Sequence, residues 1–327
     1  MADLSRPIAI YYEHPEWFRP LFTELDRRGT PYVTIDAASH RWDPAERPDY
    51  ALVFNRMSPS AYLRGHGNAI FSTTSWLAWL ERNGVRVVNG YQAWLTEISK
   101  ADQLALLHGL GLPYPRARVI NHASQAVDAA AGLRWPVAVK PNIGGSGAGV
   151  RRFETLDELR AAVDAGALDL GIDSTALVQE FIPAEESRIA RVEVLGGKYL
   201  YGIRIYTPGN SFDLCPADVC QRVDGMELDA QVCAVDAPKR GLKVEGYEPP
   251  AQVRAQVERI MAAAGIEVGG IEYMIDSRDG QLYYYDVNAL SNFVADAPNV
   301  VGFDAFARLA DWLEQHAAAA LAKKEAA

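Results

Sequence analysis

The first ninety residues alternate between two hydrophobic periods, and this alternation restricts the fold more than any other feature. β-like runs at 7–12 (PIAIYY), 31–36 (PYVTID), 50–55 (YALVFN) and 85–89 (VRVVN) are separated by helical stretches at 16–29 and 75–84. Gly29 and Gly84 stand where those helices must stop, because glycine adopts the left-handed C-terminal conformation without steric cost. Strand and helix in turn imply a mainly parallel sheet, the βαβ organisation of an α/β domain.

A chain of 327 residues has room for two or three domains. With 49% apolar and 23% charged residues it has the composition of a globular protein, which excludes disordered and fibrous classes. No apolar run approaches the length of a membrane span, and MADLSRPIAIYYEH lacks the layout of a signal peptide, so a cytoplasmic protein is expected. Cys215, Cys220 and Cys233 are odd in number and spaced neither as a disulfide framework nor as a zinc pair; ordinary thiols are expected. The net charge of -10, from 32 basic and 42 acidic residues, repels a polyanion and argues against nucleic-acid binding. An anionic small ligand would need a local basic site.

Beyond Gly90 a helix is predicted from Ser99, an N-cap with Asp102 three residues on, ending at the proline-punctuated LPYPR. A strand PVAVK (136–140), the loop PNIGGSGAG (141–149) and a strand GVRRF (149–153) follow, then a capping box at Thr155-Leu-Asp-Glu158 and a strand ALVQEFIP (176–183). Residues 188–206 read as a hairpin turning at Gly196-Gly197. A loop-rich stretch is expected from Thr207 to Glu248, with 226–248 resembling an insertion. A helix with Pro250 early and Gly265 at its exit, the strands IEYMID and QLYYYDVN, and an amphipathic helix from Asp304 complete the chain. The Ala/Lys tail from 317 is expected to fray.

Alternate residues of a strand share a face, so Asp286 and Asn288 point together while Tyr285 and Val287 point away. A three-residue loop Arg278-Asp279-Gly280, with Gly280 left-handed, would pair 277 with 281 and thus Glu272 with Asp286. Facing carboxylates repel unless a cation lies between them, and two carboxylates with an amide oxygen form the hard donor set of Mg²⁺. The alternative is two solvated surface acids.

PNIGGSGAG lies between strands, where bare backbone can wrap phosphate. It is neither a P-loop nor a dinucleotide fingerprint. GGSGA resembles the nucleophile elbow of serine hydrolases, but that elbow needs a helix straight after the serine, whereas GVRRF reads as a strand. Lys140 ends an apolar strand entering this loop, a poor place for an ammonium without an anionic partner. Lys100 opens the preceding helix.

Lys100, Lys140 with its glycine loop, ALVQEFIP and Glu272…Asp286-x-Asn288 occur in the order shown by the ATP-grasp superfamily, which the chain resembles over nearly its whole length. The pattern is most similar to RimK-like ligases that add glutamate or a related amino acid to an amine, and more distantly to D-alanine:D-alanine ligases. The resemblance implies an ATP-grasp fold of α/β and α+β parts. A Rossmann-like front domain would occupy 1–92, a central subdomain with the glycine loop 93–183, and a C-terminal subdomain with the metal and substrate loops 184–327. It implies ATP as cofactor with two Mg²⁺ (Mn²⁺ as a substitute), small-molecule or peptide carboxylate and amine substrates, and, by analogy only, a homodimer. Residue by residue, it implies Lys100 and Lys140 on the α- and β-phosphates and Gly145, Ser146 and Gly147 over the phosphates. Gln179, Glu180 and Ile182 would form the adenine hinge, largely through backbone, with Glu186 (or Glu185) on the ribose. Glu272, Asp286 and Asn288 would bind metal, and Arg191 and Arg204 would face the phosphates and acyl phosphate. An arginine on an exposed strand is otherwise solvated or salt-bridged.

Two departures limit what the resemblance implies about substrate. Asn288 is followed by ALSNFVADAP rather than a small-residue Pro-Gly segment, and the loop after Tyr206 lacks the Asn-x-x-x-Gly-Gly pattern of the glutamate-adding ligases. Arg56, in the turn FNRMSP, is a candidate for a substrate carboxylate or a structural turn arginine. The expected activity is an ADP-forming carboxylate–amine ligase acting through an acyl phosphate. The rivals are an ATP-grasp small-molecule kinase, a non-catalytic nucleotide-binding module and, more distantly, a hydrolase built on Ser146.

Overall fold

The computed structural model describes residues 4–145, 147–206 and 243–325. Ser146, Cys215, Cys220 and Cys233 therefore lie outside the described residues, as does most of the 207–248 region. In the first segment β1 (Ile8–Tyr12), α1 (Arg19–Arg28), β2 (Tyr32–Asp36), β3 (Leu52–Arg56), α2 (Gly67–Arg82) and β4 (Val87–Val88) follow the expected alternation. The strands form a parallel sheet of order β2-β1-β3-β4. Gly29 caps α1 at φ 69°, its N–H returning to Leu25 and Asp26 carbonyls as a left-handed cap requires.

Two helices, α3 (Tyr91–Glu97) and α4 (Lys100–Gly109), lead on to a second sheet. The Ser99 side chain accepts the Asp102 N–H, as expected of an N-cap. The second sheet is built from β5 (Ala117–Ile120), β6 (Val137–Pro141), β7 (Arg151–Phe153) and β8 (Ala176–Glu180), with α5 (Ala126–Ala129) and α6 (Leu156–Asp164) on one face. Its order is β5-β8-β6-β7, antiparallel throughout. Val137, Val139, Ala176 and Val178 pack under those helices. The other face carries Ala138, Lys140, Leu177 and Gln179, paired Ala138 with Gln179 and Lys140 with Leu177.

The third sheet takes β9 (Arg188–Leu195), β10 (Lys198–Tyr206), β11 (Lys243–Tyr247), β12 (Val268–Ile275) and β13 (Leu282–Asn288) in the order β11-β10-β9-β12-β13. Between β11 and β12 lies α7 (Ala251–Ala264), and α8 (Ala297–Val301) and α9 (Ala305–Glu325) close the described chain. One face, with Ala190, Val192, Ile271, Tyr273, Tyr284 and Val287, packs on α7 and α4 and also meets Leu177. The other, with Ile189, Ile203, Met274 and Tyr283, packs on the front sheet through Ile8, Leu52 and Phe54 and on α9 through Leu309 and Leu313. No helix among the described residues is long and apolar enough to cross a membrane.

Five expectations need correction. Strand β11 falls inside the stretch read as a loop, and β5 lies in a stretch given no strand. Both are short, partly exposed edge strands with little apolar alternation to betray them. Pro250 is the N-cap of α7, not a residue inside it. The terminal helix does not fray at 317: it continues to Glu325, and Ala317 and Leu321 are buried in the core shared with the front sheet. The β12–β13 hairpin closes one residue earlier than expected, with Asp276 N–H donating to the Gln281 carbonyl at 2.9 Å around a loop in which Gly280 is left-handed (φ 72°).

Candidate functional site

The earlier closure of that hairpin would by itself shift every pair along the ladder. Instead Tyr273 pairs with Tyr284 and Glu272 with Asp286, leaving Tyr285 as the extra residue of a β-bulge. The expected pairing of Glu272 with Asp286 is thus present, through two compensating one-residue changes. The bulge also overturns the expectation for Tyr285: instead of pointing away, its hydroxyl donates to Glu272 Oε2 at 2.7 Å, on the side where Asp286 lies.

Around this pair the charges interlock. Lys100 Nζ, from the first turn of α4, donates to Asp286 Oδ1 at 2.9 Å, and Asn288 Nδ2 donates to Asp286 Oδ2 at 3.0 Å. Arg191, 1% exposed, donates through Nη1 to Glu272 Oε1 at 2.7 Å and through Nε to Glu193 Oε1 at 2.6 Å. Gly270 makes this possible: a Cβ there would come within 2.8 Å of Arg191 Nη2 and of Glu193 Oε1. The two facing carboxyls separate electrostatically. Burial raises both, and in Asp286 the Lys100 ammonium more than offsets it and holds the group below the usual range. In Glu272 burial prevails over Arg191, with Asp286 adding to the rise.

Lys140 presents the opposite problem. It is 9% exposed on the sheet face turned towards α4, and its Nζ makes no ion pair or hydrogen bond among the described residues. Burial, reinforced by the nearby Lys100 charge, pushes it down to about 7. Beyond it, Asn142 ties the glycine loop to the start of α4: its Oδ1 accepts from Ala101 N–H at 2.9 Å and Ser99 Oγ at 3.2 Å, and its Nδ2 donates to Asp173 at 2.8 Å. Gly149 (φ 74°) lies so close to Pro141 that a Cβ would stand 2.7 Å from its ring, and a Cβ on Gly145 would stand 3.2 Å from Ser60 Cβ in the front segment. The loop is therefore bare backbone wedged between β6 and the front segment, with β7 rather than a helix after it.

The remaining candidates divide. Gln179 Oε1 is buried without a partner among the described residues. The Glu180 carboxylate accepts from the Arg134 main chain and Nε, both at 3.0 Å, and its own N–H donates to the Arg116 carbonyl at 2.8 Å, so both are engaged within the protein. The Ile182 side chain sits in the core. Glu186 is left-handed (φ 51°), and it and Glu185 both pair with Arg188. Gly147 is also left-handed (φ 70°). Arg204 pairs in register with Ala190, on the opposite face from Arg191, and its guanidinium lies 3.8 Å over the Tyr247 ring. The two arginines therefore do not face one site, a correction that follows from strand alternation. Arg56 is buried between Phe18 and Phe54 and donates to the Ala289 carbonyl at 3.0 Å and to that of Ser291. It holds main chain at the head of ALSNF, the structural alternative. Sequence reading missed Glu193, Asn142, Glu97, Gln103 and Asn89. Only Asn142, next to Lys140-Pro141, had a positional signal.

Among the described residues no three His, Cys, Asp or Glu side chains converge as a metal cluster. The set offered here is two carboxylates and an amide, hard oxygen donors of the type Mg²⁺ accepts when phosphate and water complete its shell. The donors fit that ion, and Lys140, buried without a hydrogen bond or ion pair among the described residues, fits a polyphosphate beside it.

Residues 98–212 match the family model of the RimK-like ATP-grasp domain. Over 183 residues the chain is 29% identical to a D-alanine–D-alanine ligase of Ectopseudomonas mendocina (strain ymp), covering 56% of this chain and 52% of that protein. It thus spans about half the length of this curated relative. Among solved structures, the ATP-grasp ligase PsnB complexed with minimal precursor superposes with a TM-score of 0.63 at 20% identity, covering 95% of this chain and all of that one. The D-cycloserine synthetase DcsG gives 0.65 at 16%, covering 95% and 99%. These two likenesses concern the fold. Residues 98–212 thus carry a RimK-like ATP-grasp domain, and the chain as a whole has the ATP-grasp fold.

Proposed function

We propose that the protein is an ATP- and Mg²⁺-dependent, ADP-forming ligase that joins a small-molecule or peptide carboxylate to an amine in the cytoplasm. Residues 93–183 and 184–327 would be the two subdomains that enclose the nucleotide, behind a front domain of residues 1–92. The observation that carries this reading is Lys140, a buried amine with no ion pair or hydrogen bond among the described residues, at the mouth of a glycine loop and near the Lys100–Asp286 pair.

A carboxylate is a poor acylating agent. Transfer of the γ-phosphoryl group to its oxygen gives an acyl phosphate and ADP; the amine then attacks the carbonyl, the C–O bond breaks, and phosphate leaves as the amine loses its proton. Positioning and charge neutralisation account for most of such catalysis, and no side-chain nucleophile is needed. Mg²⁺, when bound, would neutralise phosphate charge and polarise the transferred group. Glu272, Asp286 and Asn288 would hold it. Lys140 and Lys100 would bind phosphate oxygens, Lys100 exchanging its pairing with Asp286 for the ligand. The glycine loop, including Gly145 and Gly147, would donate main-chain N–H groups. Gln179, with the main chain at 180–182, would take the adenine edge, and Glu186 or Glu185 the ribose. Arg191 would fix the Glu272 carboxylate from behind.

The test is ADP release from ATP against pooled carboxylates and amines, with mass spectrometry of condensation products. ADP release requiring both an acid and an amine is expected. A phosphorylated product that accumulates without any amine would replace the ligase by a kinase.

A further inference from the structure

β13 is an edge strand, so the main-chain groups on its outer side need partners from outside the sheet. Gln103, on α4, acts there as a neighbouring strand would. Its Nε2 donates to the Val287 carbonyl at 2.9 Å and its Oε1 accepts the Val287 N–H at 3.2 Å, while Nε2 also donates to the Thr96 carbonyl at 3.0 Å. Two residues along, the Glu97 carboxylate accepts the Ala289 N–H. The Ala289 carbonyl receives Asn89 Nδ2 at 2.7 Å and Arg56 Nη1 at 3.0 Å. Asn89 in addition donates to the Val268 carbonyl and accepts from the Glu267 and Val268 N–H groups, the full set of four bonds an amide can make. All four of these side chains are buried.

The bonds fall on either side of Asn288, in the part of the strand where register matters most. The bulge at Tyr285 is what places Asp286 on the same side as Glu272. If the strand end slipped by one residue to restore regular alternation, Asp286 and Asn288 would turn to the opposite face. A side chain bonded to both the N–H and the C=O of Val287 blocks that slip, and Glu97 fixes the next outward N–H.

We propose that Gln103 and Glu97 are positioning residues for the divalent-cation site, holding the bulged end of β13 so that Asp286 and Asn288 remain on the face of Glu272, with Asn89 and Arg56 extending the hold into the following loop. The proposal rests on the reading of Glu272, Asp286 and Asn288 as metal ligands. It is specific to Gln103 and Glu97, neither of which touches nucleotide or metal in that reading.

The probe is Mn²⁺, titrated against the protein with ADP and followed by electron paramagnetic resonance, beside calorimetric ADP affinity without metal. Gln103→Met keeps the volume and loses the bonds to Val287. Its Mn²⁺ half-saturation is expected to rise about tenfold or more while metal-free ADP affinity stays within about twofold, a split that general destabilisation does not produce. Glu97→Ala is expected to behave likewise and Glu97→Gln, which keeps an acceptor for Ala289, to recover most of the affinity. That pair carries the comparison if Gln103→Met does not fold. Folded variants whose Mn²⁺ half-saturation matches the wild type overturn the positioning role alone. Wild-type protein that binds no Mn²⁺ with ADP overturns the metal-site reading as well.

Discussion

Lys100 Nζ lies 2.9 Å from Asp286 Oδ1, so the first turn of α4 and the end of the edge strand β13 are joined by a largely buried ion pair. In the function proposed above, Lys100 would turn to a nucleotide phosphate and Asp286 to its metal. Asp286→Asn removes the charge of a proposed metal ligand at constant volume. It is expected to lower ADP formation at least about 100-fold while far-UV circular dichroism remains native. Activity near the wild-type level would refute the assignment of Asp286 to the metal.

Lys140 makes a prediction about pH. Its pKa in the folded protein is about 7, below its ordinary 10.5, so between these values the unfolded chain carries a proton that the folded chain does not. Stability of the nucleotide-free protein must therefore rise with pH through this window, and the full penalty applies below it. Lys140→Met should stabilise the protein by about 2–4 kcal/mol at pH 6 and by progressively less towards pH 10, while abolishing nucleotide binding. Urea denaturation of both proteins at pH 6, 8 and 10 measures it; a gain independent of pH would contradict it.

Arg56 uses its planar guanidinium against the carbonyls of Ala289 and Ser291, with Phe18 and Phe54 on either side. A lysine cannot reproduce that fork. Arg56→Lys is expected to cost about 1–3 kcal/mol in chemical denaturation. A variant of unchanged stability with a raised KM for one substrate would instead make Arg56 a substrate ligand.

At Gly270 the added methyl of Gly270→Ala would collide with the Arg191 guanidinium and Glu193. The strand must shift or Arg191 must release Glu272. The expected cost is about 1–3 kcal/mol, with weaker metal-dependent nucleotide binding. Calorimetry of ADP binding with and without Mg²⁺ separates the two effects, and metal-dependent binding equal to wild type would show that Arg191 does not need its present position.

The front sheet, the place of the glycine loop between two strands and the burial of Lys140 were legible because each rests on local chemistry: a hydrophobic period, glycine's conformational freedom, a lysine in an apolar strand. The pairing of Glu272 with Asp286 was legible for a partly mistaken reason, since an earlier turn closure and the Tyr285 bulge cancel. Gln103, Glu97 and Asn89 were not legible. Their partners are main-chain atoms far along the chain, and a bond to main chain leaves no residue-type signature at its other end. The opposite orientation of Arg191 and Arg204 could have been read from alternation, once the register of β9 on β10 was known.

The packing of α9 has a practical consequence. Arg28 of α1 pairs with Asp311 and Glu314, Thr30 also bonds Glu314, and Leu309 and Leu313 share a core with Ile8 and Leu52. The N-terminal ninety residues therefore depend on the C-terminal twenty for part of their interior. A front segment exchanged between relatives to change substrate choice would have to bring its own terminal helix with it.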